Sequence, residues 1–194
     1  MDKMEEAQAV LRKYYGYKGF KPIQQKAIAS ILNGEDTFVV MPTGGGKSLC
    51  YQIPALMLDG LTLVISPLIS LMKDQVDQLV RLGICAACMN SMLDGEQYQQ
   101  LRRQIQAGQI QILYIAPERL RSGDFLSLLR RQKISLVAVD EAHCVSQWGH
   151  DFRPSYHEIS RFIRSLPVRP VVAAFTATAT AETRGDIIQQ LELM

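Results

Sequence analysis

The chain has 194 residues, 47% apolar and 21% charged, with a net charge of +2. That length suits one ordinary domain, and the balance excludes a disordered chain. So small a net charge announces no polyanionic partner by itself, so any basic surface has to be local. No apolar run approaches the ~18 residues that span a bilayer, and the N-terminus Met1-Asp-Lys-Met-Glu-Glu6 is charged and lacks a signal core, so an intracellular protein with no membrane partner is expected.

Helical spacing comes first, over residues 3–14 and 22–32, broken by Gly16 and restarted at Pro22. Short apolar strands are then expected near 37–41, 61–66, 84–89, 110–116, 134–139 and 170–176. A helix opens at Ser48. A second runs over 68–82, with Leu68, Leu71, Met72, Val76, Leu79 and Leu82 on its apolar face and Gly83 as its stop. Two more are expected over 122–131 and 154–166, the latter with Pro154 in its first turn. Alternation of this kind predicts right-handed βαβ units and an α/β fold, a mostly parallel central sheet with helices on both faces. The expected division is a helical segment over 1–35 packed on a main unit over 36–194.

Between the strand at 37–41 and its helix lies Met41-Pro-Thr-Gly-Gly-Gly-Lys-Ser48. Three glycines leave room for backbone N–H groups to close around phosphate oxygens. Thr43, Gly44, Gly45 and Gly46 form the cradle, Lys47 supplies a point charge to the β/γ-phosphates, and Ser48 offers a hydroxyl to Mg²⁺. Met41 stands where the strict pattern asks for glycine. The apolar run Ile134–Val139 delivers Asp140 and Glu141 at its carboxyl end, where open α/β sheets place their ligands. Asp140 suits the metal, and Glu141 suits the attacking water. ATP and Mg²⁺ are the expected cofactors.

Cys50, Cys85, Cys88 and Cys144 are expected to be buried free thiols. Cys85-Ala-Ala-Cys88 has the spacing of half a zinc site, but no second pair or His pair accompanies it. The pairs Arg102-Arg103 and Arg130-Arg131 are expected on solvated helix faces.

Taken in order, these stretches resemble the first RecA-like motor domain of superfamily 2 helicases, and within them the RecQ DNA helicases. Tyr17-Lys-Gly-Phe-Lys-Pro-Ile-Gln24 is similar to the motif that precedes the phosphate loop, Met41–Gln52 to motif I and Ser66-Pro-Leu-Ile-Ser-Leu-Met-Lys-Asp-Gln75 to motif Ia. Tyr114-Ile-Ala-Pro-Glu-Arg119 resembles the next strand-end motif, Asp140-Glu-Ala-His143 motif II and Phe175-Thr-Ala-Thr-Ala-Thr180 motif III. Ser146-Gln-Trp-Gly-His-Asp-Phe-Arg-Pro154 resembles the aromatic-rich loop that marks RecQ. The resemblance implies an ATP-dependent DNA helicase motor moving 3′ to 5′, with roles in DNA repair and recombination, a monomer, and a place in the cytoplasm (nucleoid) if bacterial. It implies adenine recognition by Tyr17, Lys21 and Gln24, with Lys21 where the family usually has arginine. It also implies catalysis by Lys47, Asp140, Glu141 and His143. Single-stranded DNA and duplex junctions are the implied partners, held or coupled through Ser66, Ser70, Arg119, Gln147, Trp148, His150, Phe152, Arg153, Thr176 and Thr178. A second RecA-like domain, whose motifs this chain lacks, would complete the site. Two other readings stay open at this point: a non-catalytic, nucleotide-dependent nucleic-acid-binding module, and an RNA helicase or remodelling ATPase of the same superfamily.

Overall fold

The structure is a computed structural model that describes residues 2–194. Its elements are α1 (Lys3–Tyr15), α2 (Pro22–Leu32), β1 (Thr37–Val40), α3 (Lys47–Met57), β2 (Leu61–Ile65), α4 (Ile69–Arg81) and β3 (Ala86–Met89). There follow α5 (Gly95–Gln106), β4 (Ile112–Ile115), α6 (Gly123–Arg130), β5 (Ile134–Val139), α7 (His157–Ser165), β6 (Val171–Thr176) and α8 (Ala181–Gln190). The strands form one sheet in the order β1-β6-β5-β2-β4-β3, and every pairing is parallel. The fold is the expected α/β architecture.

Side-chain alternation explains why a continuous apolar strand suits this sheet. In β5, Val137 and Val139 join one core, while Leu136 and Ala138 join the core on the opposite face. Leu63 and Val64 of β2 divide in the same way. Both faces are covered by helices, so both parities of residue favour apolar side chains. A third, smaller cluster joins Ala7, Leu11, Ile28, Leu32 and Ile53 and holds α1 and α2 on α3.

Two helices were not predicted from periodicity. In α5 only Leu101 and Ile105 are buried, and in α8 only Thr183 and Ile187, too few apolar positions to mark a period. A capping signal did exist for α5: the Asp94 carboxylate accepts from Gln97 N–H, and the Gln97 side chain accepts from Asp94 N–H. The apolar face expected over 68–82 is narrower than its sequence suggests. Met72 and Leu79 are buried, but Leu68, Leu71 and Leu82 are exposed, because α4 lays a single stripe on the sheet. Pro154 does not begin α7; it opens a separate 3₁₀ turn, Pro154–Tyr156. That turn lets the Tyr156 hydroxyl donate to the Asp140 carbonyl at 3.0 Å. Among the cysteines, Cys50 and Cys144 are buried, whereas Cys85 is exposed and Cys88 half-buried.

Candidate nucleotide site and coupling loop

β1, β6 and β5 are neighbours in the sheet, so their carboxyl ends bring together segments distant in sequence. The loop after β1 shows why Met41 is tolerated. Its side chain is buried beneath the loop, and a Cβ on Gly45 would come within 2.6 Å of Met41 Cγ and 2.8 Å of the Pro42 carbonyl oxygen. The glycine required by the fold is Gly45, over which Met41 packs. Gly46 has φ 88°, and a Cβ there would collide with the Gln24 amide. α3 begins at Lys47, so its positive end faces the cradle.

Lys47 Nζ lies 3.9 Å from Asp140 Oδ1 and 3.7 Å from Glu141 Oε1. One ammonium thus stands between two adjacent carboxylates that would otherwise repel each other. Burial pushes the Asp140 carboxyl above the usual range, with Lys47 pulling it back. Glu141 sits at φ 49° and ψ 46°, left-handed backbone that costs a non-glycine residue about 1–2 kcal/mol. Two hydrogen bonds hold it there: Glu141 N–H to Asp140 Oδ1 at 2.9 Å, and Cys144 N–H to the Glu141 carbonyl at 2.9 Å. The Ser48 hydroxyl and the Asp140 carboxylate are hard oxygen donors of the type Mg²⁺ takes, and the place held by the Lys47 ammonium accommodates positive charge.

His143 links this centre to β6. Its Nδ1 lies 2.9 Å from Thr176 Oγ1, and Thr176 gives its only hydroxyl hydrogen to the Thr178 carbonyl at 3.0 Å. Thr176 therefore accepts, and Nδ1 carries the proton. Burial lowers the His143 pKa, against a smaller pull upward from Glu141. Thr176 is fully buried, so it reaches His143 and not the surface; Thr178 is exposed.

The segment before the phosphate loop departs from expectation. Gln24 is buried, and its amide is already committed: Nε2 donates to the Gly46 carbonyl at 3.1 Å, and Oε1 accepts from Lys21 N–H at 2.9 Å. Lys21 Nζ donates to the Gly45 carbonyl at 3.2 Å. Both residues grip the phosphate loop in this conformation, so a base contact by Gln24 requires that grip to loosen. The Tyr17 ring, 57% exposed, is free to stack.

The loop after the 3₁₀ turn Ala142–Val145 presents Trp148 to solvent, 67% exposed, with Gln147, His150 and Phe152 also exposed. The His150 ring stacks on His143 at 4.4 Å, and Phe152 meets His157 edge-on. Arg153 pairs with Asp151 at 3.3 Å. Gly149 lies so close to the His143 carbonyl that a Cβ would clash with it. Elsewhere, Ser66 corrects an expectation. Its hydroxyl is enclosed and its N–H donates to the Ile115 carbonyl, so it offers nothing to a strand outside. Ser70 is exposed at the start of α4. Arg119 donates to the Asn90 carbonyl at 3.0 Å and lies over Tyr98.

Two sets of residues escaped the sequence reading. A buried polar chain joins Tyr15, Gln52, Tyr114 and Gln75, ending where Gln75 Nε2 donates to Ser48 Oγ at 3.0 Å. Its only sequence trace is glutamine on helix faces that pack inward. The second is Asp186 of α8, which accepts from Ser146 Oγ at 2.6 Å and anchors the root of the exposed loop. Nothing in its local sequence marks it.

A profile of the DEAD/DEAH box helicase family matches residues 21–187, and the chain belongs to that family. Within it, the sequence is 51% identical to the ATP-dependent DNA helicase RecQ of Haemophilus influenzae over 187 residues, covering 96% of this chain and 30% of that protein. It is 50% identical to RecQ of Bacillus subtilis, covering 98% of this chain and 32% of that protein. The chain thus spans about a third of the length of these relatives. The fold matches the DUF1998 helicase MrfA bound to DNA with TM-score 0.77 at 22% identity, over 100% of this chain and 29% of that one. It matches the Hef helicase domain of Pyrococcus furiosus with TM-score 0.66 at 20% identity, over 88% of this chain and 35% of that one.

Proposed function

We propose that this chain is the N-terminal ATP-binding half of a RecQ-type DNA helicase motor, which binds Mg-ATP and single-stranded DNA and works intracellularly. The observation that carries the nucleotide reading is the Lys47 ammonium, delivered by the loop after β1, held between Asp140 and Glu141 at the carboxyl end of β5. The DNA reading rests on identity to RecQ proteins of about 50% and on the exposed Trp148 loop.

In this reading Lys47 leaves the carboxylates to meet the β/γ-phosphates, beside the backbone N–H groups of Gly44 to Ser48. Ser48 and Asp140 would hold Mg²⁺, which when bound would supply charge neutralisation at the phosphates. Glu141 orients and polarises the attacking water. His143, fixed by Thr176, carries the state of the site to β6 and, through His150, to the Trp148 loop. Residues 1–35 serve as an adenine-recognition segment packed on the motor unit, 36–194. A second RecA-like domain would close the other wall of the cleft and present an arginine to the γ-phosphate, an addition worth about 10³–10⁵ in rate.

The test is Glu141→Gln in a protein joining this chain to a second motor domain. Nucleotide binding should persist while hydrolysis falls by about 10²–10⁴. Hydrolysis at the unchanged rate would remove Glu141 from the water-activating role and, with it, the mechanism above.

A further inference from the structure

We propose that His143, Cys144 and Asp151 form a binding site for a thiophilic divalent cation of the Zn²⁺ type, set behind the carboxylates and distinct from the Mg-ATP position. One ligand atom from each lies within 4.8 Å of the others. Tetrahedral zinc, with bonds of about 2.0–2.3 Å, spaces its ligand atoms roughly 3.5 Å apart, so closure by about 1 Å completes three of four positions. An imidazole, a thiol and a carboxylate together select Zn²⁺, Co²⁺ or Cd²⁺ over Mg²⁺, which prefers an all-oxygen shell.

The surroundings favour occupation. His143 commits Nδ1–H to Thr176 at 2.9 Å, which leaves the Nε2 lone pair for a metal and fixes the ring, the usual outer-shell arrangement of a metal histidine. The Cys144 thiol already points at Asp151 Oδ2, 3.8 Å away. The His150 ring stacks on His143 at 4.4 Å and helps fix its plane, and the fourth position falls to a solvent water. A cavity of about 370 Å³ bounded by His143, Trp148, Gly149, His150 and Thr183 opens onto the His143 side of the cluster. The Arg153 guanidinium, 3.3 Å from Asp151 Oδ2, opposes a cation here, as does Lys47 beyond the carboxylates, and Arg153 engages Oδ2 and not Oδ1. As the metal–sulfur bond forms, the thiol proton passes to solvent. Burial pushes the free thiol up to about 12, so the metal must displace that proton and one should be released per ion bound.

Occupation would tie the DEAH histidine to the loop that carries Trp148 and arrest their relative movement. Binding stands on the geometry alone; the arrest rests on the motor reading given above.

The experiment uses the chain with Cys85→Ser and Cys88→Ser, so that the two accessible thiols do not compete. Titration with Co²⁺ should produce a sulfur-to-cobalt charge-transfer band that saturates at one equivalent and is displaced by Zn²⁺. Calorimetry with Zn²⁺ in buffers of different ionisation enthalpy should report one proton released. Cys144→Ala should abolish the band, and Asp151→Asn, on the open side of the site, should weaken binding about tenfold or more. Absence of a thiolate band, or a band that survives Cys144→Ala, overturns the site. In a second arm, Zn²⁺ should slow DNA-stimulated ATP turnover of the two-domain protein and should not slow its Cys144→Ala variant. Binding with unaffected turnover would overturn the arrest and leave the site standing.

Discussion

Replacing Trp148 by alanine separates a surface role from a packing role by magnitude. The residue is 67% exposed, so about one third of roughly 250 Å² is covered, near 80 Å². At about 25 cal/mol per Å² that is ~2 kcal/mol as a ceiling. The Cβ retained by alanine and the compactness of the denatured chain bring it to about 1 kcal/mol. For a domain of this size the melting temperature should then fall by about 2–4 °C, whereas an enclosed indole would cost about 3–5 kcal/mol. Loss of a stacked base, in contrast, removes about 1–3 kcal/mol of DNA binding, or roughly 5- to 150-fold. The assay pairs thermal unfolding of the chain with DNA-stimulated ATP turnover of a two-domain protein, normalised to folded molecules. A small thermal shift with strongly reduced stimulation, and nucleotide affinity nearly unchanged without DNA, is expected. Full stimulation retained in folded protein would refute the assignment of Trp148 to DNA coupling.

Lys47→Ala removes the cation between Asp140 and Glu141 and the charge offered to phosphate; Mg-ATP affinity by calorimetry should drop about 10- to 150-fold, and an unchanged affinity would refute the cradle. Gln75→Leu strips the Ser48 hydroxyl of its donor and leaves Tyr114 and Gln52 without their shared acceptor; urea unfolding should show a loss of about 1–3 kcal/mol with weaker Mg-ATP binding, and a loss below about 0.5 kcal/mol would discount the network. His143 is pushed below its ordinary 6.5 by burial, so its contribution to stability is present above that value and is lost as pH falls through the lower folded value. Urea unfolding between about pH 7.5 and 5 should therefore show a steeper acid loss for the parent than for His143→Gln, and parallel profiles would contradict it.

The sheet, the glycine-rich loop before Lys47, the carboxylates and the exposed aromatic loop were all legible in the sequence. Each is written locally: β5 is apolar at both parities, three glycines precede Lys47, and polar neighbours flank Trp148, so neighbouring residues suffice to name them. The weakly periodic helices α5 and α8 were beyond it, because each buries two residues and owes its place to the sheet beneath. Which side chains meet is set by packing alone. That Gln24 holds the Gly46 carbonyl, that Ser66 is enclosed, that Gln75 reaches Ser48 and that Asp186 anchors Ser146 all depend on strand order. Placing β6 and β5 beside β1 brings His143, Thr176 and Lys47 into one cluster from segments far apart in the chain. Hydrogen bonds between such segments leave no periodic trace in sequence, since their partners are chosen by packing and not by spacing.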